Sequence, residues 1–245
     1  MKKIKNPLIR RIPKELIGDW KKYLVVFLFL VLTIGFVSGM YVANESMITS
    51  ANEGVTKYKQ EDGHFELKKQ ADATLLSAIE TGEKADFKAT KTTLYENFFR
   101  NEEEDYNNDG KKDGTIRVFA KTKDINLACM LQGSFPQKAD EIAIDRMHAD
   151  NVGIKVGDTV TVSGETYKVV GLLAYVNYST LHEKTTDLMF DALKFDVAMV
   201  TQDGFDRLHK SIHYTYAWKY ETEPADEAGE KTLSLIHISE PTRQA

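Results

Sequence analysis

Oxygen-bearing side chains on alternate residues mark the most site-like stretch of this chain, Asp105-Tyr-Asn107-Asn-Asp109-Gly110-Lys-Lys-Asp113. They match positions 1, 3, 5, 6 and 9 of a calcium loop, with hard oxygen donors at alternate positions and glycine at the sharp bend. The twelfth position is Ile116, where a bidentate glutamate is expected. An incomplete loop of this kind predicts weak calcium binding, of the order of 10⁻⁴–10⁻³ M, as in extracellular modules. The competing expectation for Asp105, Asn107, Asp109 and Asp113 is a solvated acidic β-turn with no ion.

Other reactive residue types form no constellation. His209 and His213 stand four apart, a spacing that places two ligands on one helical face, but Tyr214, Tyr216 and Trp218 beside them alternate as in a strand. The single cysteine, Cys129, excludes an internal disulfide. Its neighbours in Ala-Cys-Met-Leu are apolar, so a buried structural thiol is expected rather than a nucleophile. The patterns GxSxG, SxxK and HExxH are missing, and His182-Glu183 lacks a second histidine. No GxxxxGK[ST] loop cradles phosphate. These readings predict a chain that is not an enzyme and carries no cofactor of its own.

The element that must position everything else is an uncharged run of 21 residues, Tyr23–Ala43. At 1.5 Å per residue it reaches about 31 Å, the thickness of a bilayer's hydrocarbon core. Eight basic residues precede it against two acidic ones, Glu15 and Asp19, and Glu45 follows it. The positive-inside rule then places residues 1–22 in the cytoplasm and the residues after Ala43 outside the cell membrane. A cleaved signal peptide is the rival reading. The long basic leader, the length of the run and the poor cleavage site at Val42-Ala43-Asn44 argue against it. Leu8, Ile12, Leu16 and Trp20 recur at four-residue spacing, as in an amphipathic segment lying in the inner interface; an unstructured basic leader is the alternative. Gly35 and Gly39 form a GxxxG motif inside the run, a candidate packing face for another membrane helix.

With the whole chain at −5 and residues 1–22 at +6, the remainder stands at −11. Such an acidic ectodomain argues against a nucleic-acid partner. Asn44–Gln60 has near-helical apolar spacing and is expected to continue the membrane helix outward as a stalk. Strands are expected at Gly63–Leu67, Thr92–Phe99, Thr115–Lys121, Asp140–Ile144 and Phe195–Val200, and a hairpin joins Thr159–Val162 to Thr166–Leu172. Helices are expected at Ala71–Glu80, stopped by Gly82, and at Asp145–Asn151, Leu181–Ala192 and Gln202–His209. Glu102–Gly114 reads as an acidic turn. The whole of residues 44–232 therefore reads as an α+β domain, with two subdomains expected.

Two blocks carry a family resemblance. One is the leader Lys5-Asn-Pro-Leu-Ile-Arg-Arg-Ile-Pro-Lys-Glu-Leu with its span. The other is Asp140-Glu-Ile-Ala-Ile-Asp-Arg-Met-His-Ala-Asp-Asn-Val-Gly-Ile-Lys-Val-Gly-Asp-Thr-Val-Thr-Val, followed by Tyr167-Lys-Val-Val-Gly-Leu. Together they resemble the FtsX-like, MacB-type permease subunits of ABC transporters, over about three quarters of the chain. Leu94–Gly114 is the part least like them. The resemblance implies one N-terminal membrane helix, an α+β extracytoplasmic core domain of the MacB type and three further membrane helices. It also implies a cytoplasmic ABC ATPase subunit that binds the ATP, and a second permease subunit. In the second block, Gly157 and Gly164 would permit turns that a Cβ obstructs.

Residues 233–245 do not read like the domain before them. Leu233-Ser-Leu-Ile-His-Ile-Ser-Glu-Pro-Thr-Arg243 resembles the translation of a sequencing-library adapter, so the native frame is expected to continue beyond Thr232 into the remaining spans. The functional expectation is the N-terminal part of a permease that couples a partner's ATP hydrolysis to extracytoplasmic transport or release of substrate. The alternative is a single-pass anchored sensor or ligand-binding module.

Overall fold

The computed structural model describes residues 17–81, 92–178, 180–183 and 187–221. Most of the leader, Gly82 and the adapter-like tail lie outside the described residues. The chain divides into two compact units, one ending at Glu53 and one beginning at Gly54.

Helix α1, Trp20–Lys57, 38 residues without a break, makes up most of the described part of the first unit and ends four residues into the second. None of its residues is buried, and Leu24, Phe27, Phe29, Leu32, Ile34 and Phe36 are all exposed. It is long and apolar enough to cross a membrane. An apolar stripe would need only one covered face, whereas this helix is apolar all round through its span, as a lipid solvent requires. Apart from chain neighbours and the helix's own backbone, no atom of the described residues stands within 4 Å of a Cβ built on Gly35 or Gly39.

The second unit is sheet-rich. A three-stranded antiparallel sheet in the order β1-β10-β2 uses β1 (Gly63–Leu67), β2 (Thr92–Glu96) and β10 (Tyr214–Tyr220). Phe65, Tyr216 and Trp218 form its buried cluster, with Leu76 and Ile79 of α2 (Ala73–Thr81) packed against them. A seven-stranded mixed sheet follows, ordered β5-β8-β6-β9-β4-β3-β7. Its strands are β3 (Phe99–Asp105), β4 (Gly114–Ala120), β5 (Ala128–Gly133), β6 (Glu141–Asp145), β7 (Thr159–Val162), β8 (Glu165–Tyr175) and β9 (Phe195–Val200). β7 pairs with β8 as well as with β3, so the sheet closes on itself through the long β8. Closure leaves fewer unpaired strand edges. The turn between β7 and β8 is the two-residue pair Ser163-Gly164, both at positive φ, the geometry that favours a tight hairpin.

Strand alternation sorts the side chains into two cores. Ile116, Val118, Ile142, Ile144, Val160, Val162, Ala198 and Val200 face one cluster, which also takes Ala149 from α3 (Arg146–Val152) and Phe205 from α4 (Gln202–Asp206). Phe119, Ala143, Leu173, Phe195, Val197 and Met199 face the other. β9 is buried along its whole length because both of its faces are covered.

Several sequence expectations give way here. The acidic stretch at Glu102–Gly114 is not all turn: Glu102–Asp105 belongs to β3, paired with β4 and β7, and only the residues between Asp105 and Gly114 reverse the chain. Ladder hydrogen bonds from two neighbours outweigh the poor strand preference of glutamate. Thr92–Phe99 is two strands, because Asn97 and Phe98 break it and send β2 and β3 into different sheets. Leu181–Ala192 forms no helix over its described residues. Asp191 instead accepts backbone bonds from Lys194 and Phe195 in a turn that feeds β9, leaving Leu188 and Met189 exposed. β5 was not foreseen. Cys129 lies in it and is only half-buried, and the Tyr58 hydroxyl donates to its Sγ at 2.9 Å.

Candidate functional site

β3 alternates so that Glu102 and Glu104 point to the same core as Ile116 and Val118, and both are buried. Their fates differ. Glu102 is satisfied: Oε2 accepts from Ser163 Oγ at 2.5 Å and Oε1 accepts from the Lys210 backbone N–H at 3.0 Å. Glu104 is fully enclosed, at 0 % exposure, and neither carboxylate oxygen has a hydrogen-bond partner among the described residues.

His148 faces it from α3. Asp145 caps this helix, its Oδ1 accepting from the backbone N–H groups of Met147 at 2.7 Å and His148 at 3.4 Å. The cap fixes the first turn, and the buried face of α3 then carries His148 and Ala149 inward. His148 Nδ1 lies 2.7 Å from the Ala192 carbonyl oxygen. A carbonyl only accepts, so Nδ1 carries a proton and Nε2 is the nitrogen turned toward Glu104, 3.4 Å from Oε1.

Asp196 comes from β9, on the same face as Ala198 and Val200. Its Oδ1 accepts from the Val197 N–H at 2.7 Å and the Asp145 N–H at 3.2 Å, while Oδ2 has no partner among the described residues. One ligand atom from each of Glu104, His148 and Asp196 lies within 4.8 Å of the others. Three elements distant in sequence thus place a nitrogen and carboxylate oxygens around one point inside the domain.

The electrostatics follow from burial. For His148, burial opposes the imidazolium, but the Asp196 and Glu104 carboxylates and the Ala192 carbonyl outweigh it and raise its pKa to about 9. Burial, with the charges of Glu104 and Asp145 adding to it and that of His148 opposing it, pushes Asp196 well above the usual carboxylate range. Burial also raises Asp145, against the two backbone N–H groups it caps. All three clustered residues are closed to solvent, so the arrangement is suited to holding a proton or a cation rather than to turning over a dissolved substrate.

The acidic loop lies beside this cluster in sequence, beginning at the residue after Glu104. Asp105 accepts from the N–H groups of Asp109 at 3.1 Å and Gly110 at 2.8 Å; Asn107 accepts from Asp109 at 2.9 Å, and Asp109 from Lys111 at 2.9 Å. Asp113 accepts from the Tyr106 N–H at 3.2 Å and from Asn107 Nδ2 at 3.4 Å. The loop therefore gathers Asp105, Asn107, Asp109 and Asp113 in one turn, and their oxygens staple its backbone. Ile116 at the twelfth position is fully buried in β4 and contributes no donor.

His209 and His213 do not share a helical face. α4 ends at Asp206, and His213 stacks on Phe99 with its Nδ1 2.7 Å from Glu66 Oε1. Sequence reasoning missed the Glu104–His148–Asp196 cluster altogether, because each member was assigned to an unremarkable element: an acidic turn, a short helix and an apolar strand. The available signal was one charge inside the run Phe-Asp-Val-Ala-Met-Val and a histidine beside Ala149 on a short helix.

No protein-family model matches the chain, and no curated protein matches it. Among solved structures, the periplasmic region of MacB from Actinobacillus actinomycetemcomitans aligns with 73 % of this chain and 83 % of its own length, at 11 % identity and a TM-score of 0.39. The extracellular domain of the noncanonic ABC-type transporter YknZ from Gram-positive bacteria aligns with 70 % of this chain and 88 % of its own length, at 13 % identity and a TM-score of 0.35.

Proposed function

We propose that this chain is the N-terminal part of an ABC transporter permease subunit, with its N-terminus in the cytoplasm and its sheet-rich domain outside the cell membrane. The observation that carries the reading is α1, an unbroken helix of 38 residues with no buried side chain. Its length is about 57 Å, nearly twice the hydrocarbon thickness of about 30 Å. Some 20 Å, Asn44–Lys57, therefore continues as helix beyond the apolar run. A simple tether needs only coil there, whereas a helix can carry displacement from the membrane outward. The leader and the Asp140–Val162 block that resemble MacB-type permeases support the same reading. Energy would come from a separate cytoplasmic ATPase, since the chain has no phosphate-cradling loop. Gly35 and Gly39 offer the close-packing face that further membrane helices or a second permease subunit would use.

The test is to extend the reading frame at the native locus, tag the protein at Met1 and purify it from membranes. A P-loop ATPase should co-purify, and a flexible Gly-Ser insertion after Asn52 should uncouple transport from ATP hydrolysis while both folds persist. Unchanged transport in the insertion variant rejects the mechanical role. A genomic stop after Ala245 with no ATPase partner rejects the permease reading in favour of a single-pass sensor.

A further inference from the structure

The cluster of Glu104, His148 and Asp196 poses a problem that the permease reading leaves unsolved. Two carboxylates and an imidazole lie at 0 % exposure, yet Glu104 Oε1 and Oε2, His148 Nε2 and Asp196 Oδ2 all lack hydrogen-bond partners among the described residues. Buried polar atoms are normally satisfied, and unpaired buried charge is among the costliest features a core can hold. Glu102, two residues away on the same strand face, shows that this core can satisfy a carboxylate with protein donors. At Glu104 it does not.

We propose that these residues form a structural zinc site, with His148 Nε2, Asp196 Oδ2 and the two oxygens of Glu104 as its four donors. The four orphaned atoms are the ones that would ligate, and their partnered counterparts are the ones a metal site keeps for orientation. His148 Nδ1–H is anchored on the Ala192 carbonyl at 2.7 Å, which leaves Nε2 as the nitrogen that gives up its proton when a cation binds. Asp196 Oδ1 is likewise held by two backbone N–H groups. Two donors from different residues, each about 2.1 Å from a zinc, stand about 3.4 Å apart at a tetrahedral angle, the bidentate Glu104 taking a narrower bite. Glu104 Oε1 and His148 Nε2 are 3.4 Å apart, and one ligand atom from each of the three residues lies within 4.8 Å of the others.

Charge selects the same occupant. A dication balances the two carboxylates around a neutral imidazole; without it the imidazolium balances one carboxylate and burial keeps a proton on Asp196, so binding would release those protons. An imidazole nitrogen with carboxylate oxygens in a four-donor set suits zinc; calcium prefers six to eight oxygens, and magnesium demands a near-octahedral shell in which it keeps several waters. The ion would clip β3, α3 and β9 together without performing catalysis. The site does not depend on the permease reading.

The test uses the full chain in detergent, carrying a histidine-free tag, stripped with a chelator and titrated with zinc chloride alone. One zinc per chain should bind with sub-micromolar affinity and raise the thermal midpoint. X-ray absorption of the loaded protein should show one imidazole, oxygen donors and no sulfur. Glu104→Gln and Asp196→Asn should each weaken zinc binding by more than the roughly 10–100-fold that loss of an outer-shell partner costs. The double variant Asp105→Asn/Asp109→Asn should retain full affinity, separating this site from the acidic loop. Failure to bind zinc, unchanged affinity in Glu104→Gln or Asp196→Asn, or a sulfur or multi-histidine shell overturns the proposal. Where either ligand variant does not fold by circular dichroism, the absorption spectrum of the wild-type protein decides.

Discussion

Replacing His148 with alanine in the chelator-treated protein tests how the buried cluster is held together when no metal contributes. The substitution removes the imidazole that stands 3.4 Å from Glu104 Oε1 and leaves that fully enclosed carboxylate without its counter-charge. Breaking a buried ionic pair from one side costs about 3–5 kcal/mol. Loss of the Ala192 carbonyl's partner adds about 1 kcal/mol. A total near 5 kcal/mol is a large share of the roughly 5–15 kcal/mol that stabilises an ordinary domain. With a urea slope of about 2 kcal/mol/M, the midpoint should fall by about 2.5 M at pH 7. Trp218, only 5 % exposed, reports the transition by its emission in a Trp20→Phe background. Adding Glu104→Gln removes the stranded charge at nearly constant volume, so the double variant should recover about 1–3 kcal/mol relative to the sum of the two single losses. A loss below about 1 kcal/mol for His148→Ala, or strict additivity in the cycle, would refute the view that Glu104 and His148 act as a buried pair.

Three further outcomes are expected. Asp145→Ala should cost about 1 kcal/mol through loss of the α3 cap, whereas Asp145→Asn, which keeps the acceptor and sheds a buried charge, should stay within about 0.5 kcal/mol; thermal melts distinguish them. Gly164→Ala meets no atom within 4 Å and should cost only the roughly 1–2 kcal/mol of positive φ. Gly133→Ala would bring a Cβ to 2.2 Å from the Val170 carbonyl oxygen and should sharply lower the yield of folded protein recovered on expression, compared with Gly164→Ala. The hydrogen bond from His64 to Glu61 raises the His64 pKa against partial burial, so its contribution to stability is complete below the unfolded value near 6.5 and is lost as pH rises through the folded value. An NMR titration should give a His64 midpoint above 6.5 that returns to the ordinary value in Glu61→Gln.

Where the sequence determined this protein, it did so through local order. The span was legible because lipid demands a contiguous run of about 20 apolar residues, and α1 contains that run and continues to Lys57. β1 and β9 carry the bounds read from the sequence, and the Ser163-Gly164 hairpin was readable because turn chemistry is a property of two adjacent residues. Asp145 and Gly153 bracket α3 as capping residues do. Tertiary structure decided what depends on distant neighbours. Glu102–Asp105 is strand only because β4 and β7 flank it, and the described residues of Leu181–Ala192 are not helical because the end of that stretch is recruited to turn into β9 and to offer the Ala192 carbonyl to His148. The buried cluster is the extreme case. Residues 104, 148 and 196 share no local pattern, and they meet because β3 and β9 sit either side of β4 in a sheet that closes through β8 beneath α3. Spacing along the chain carries no trace of that meeting; the order of strands creates it.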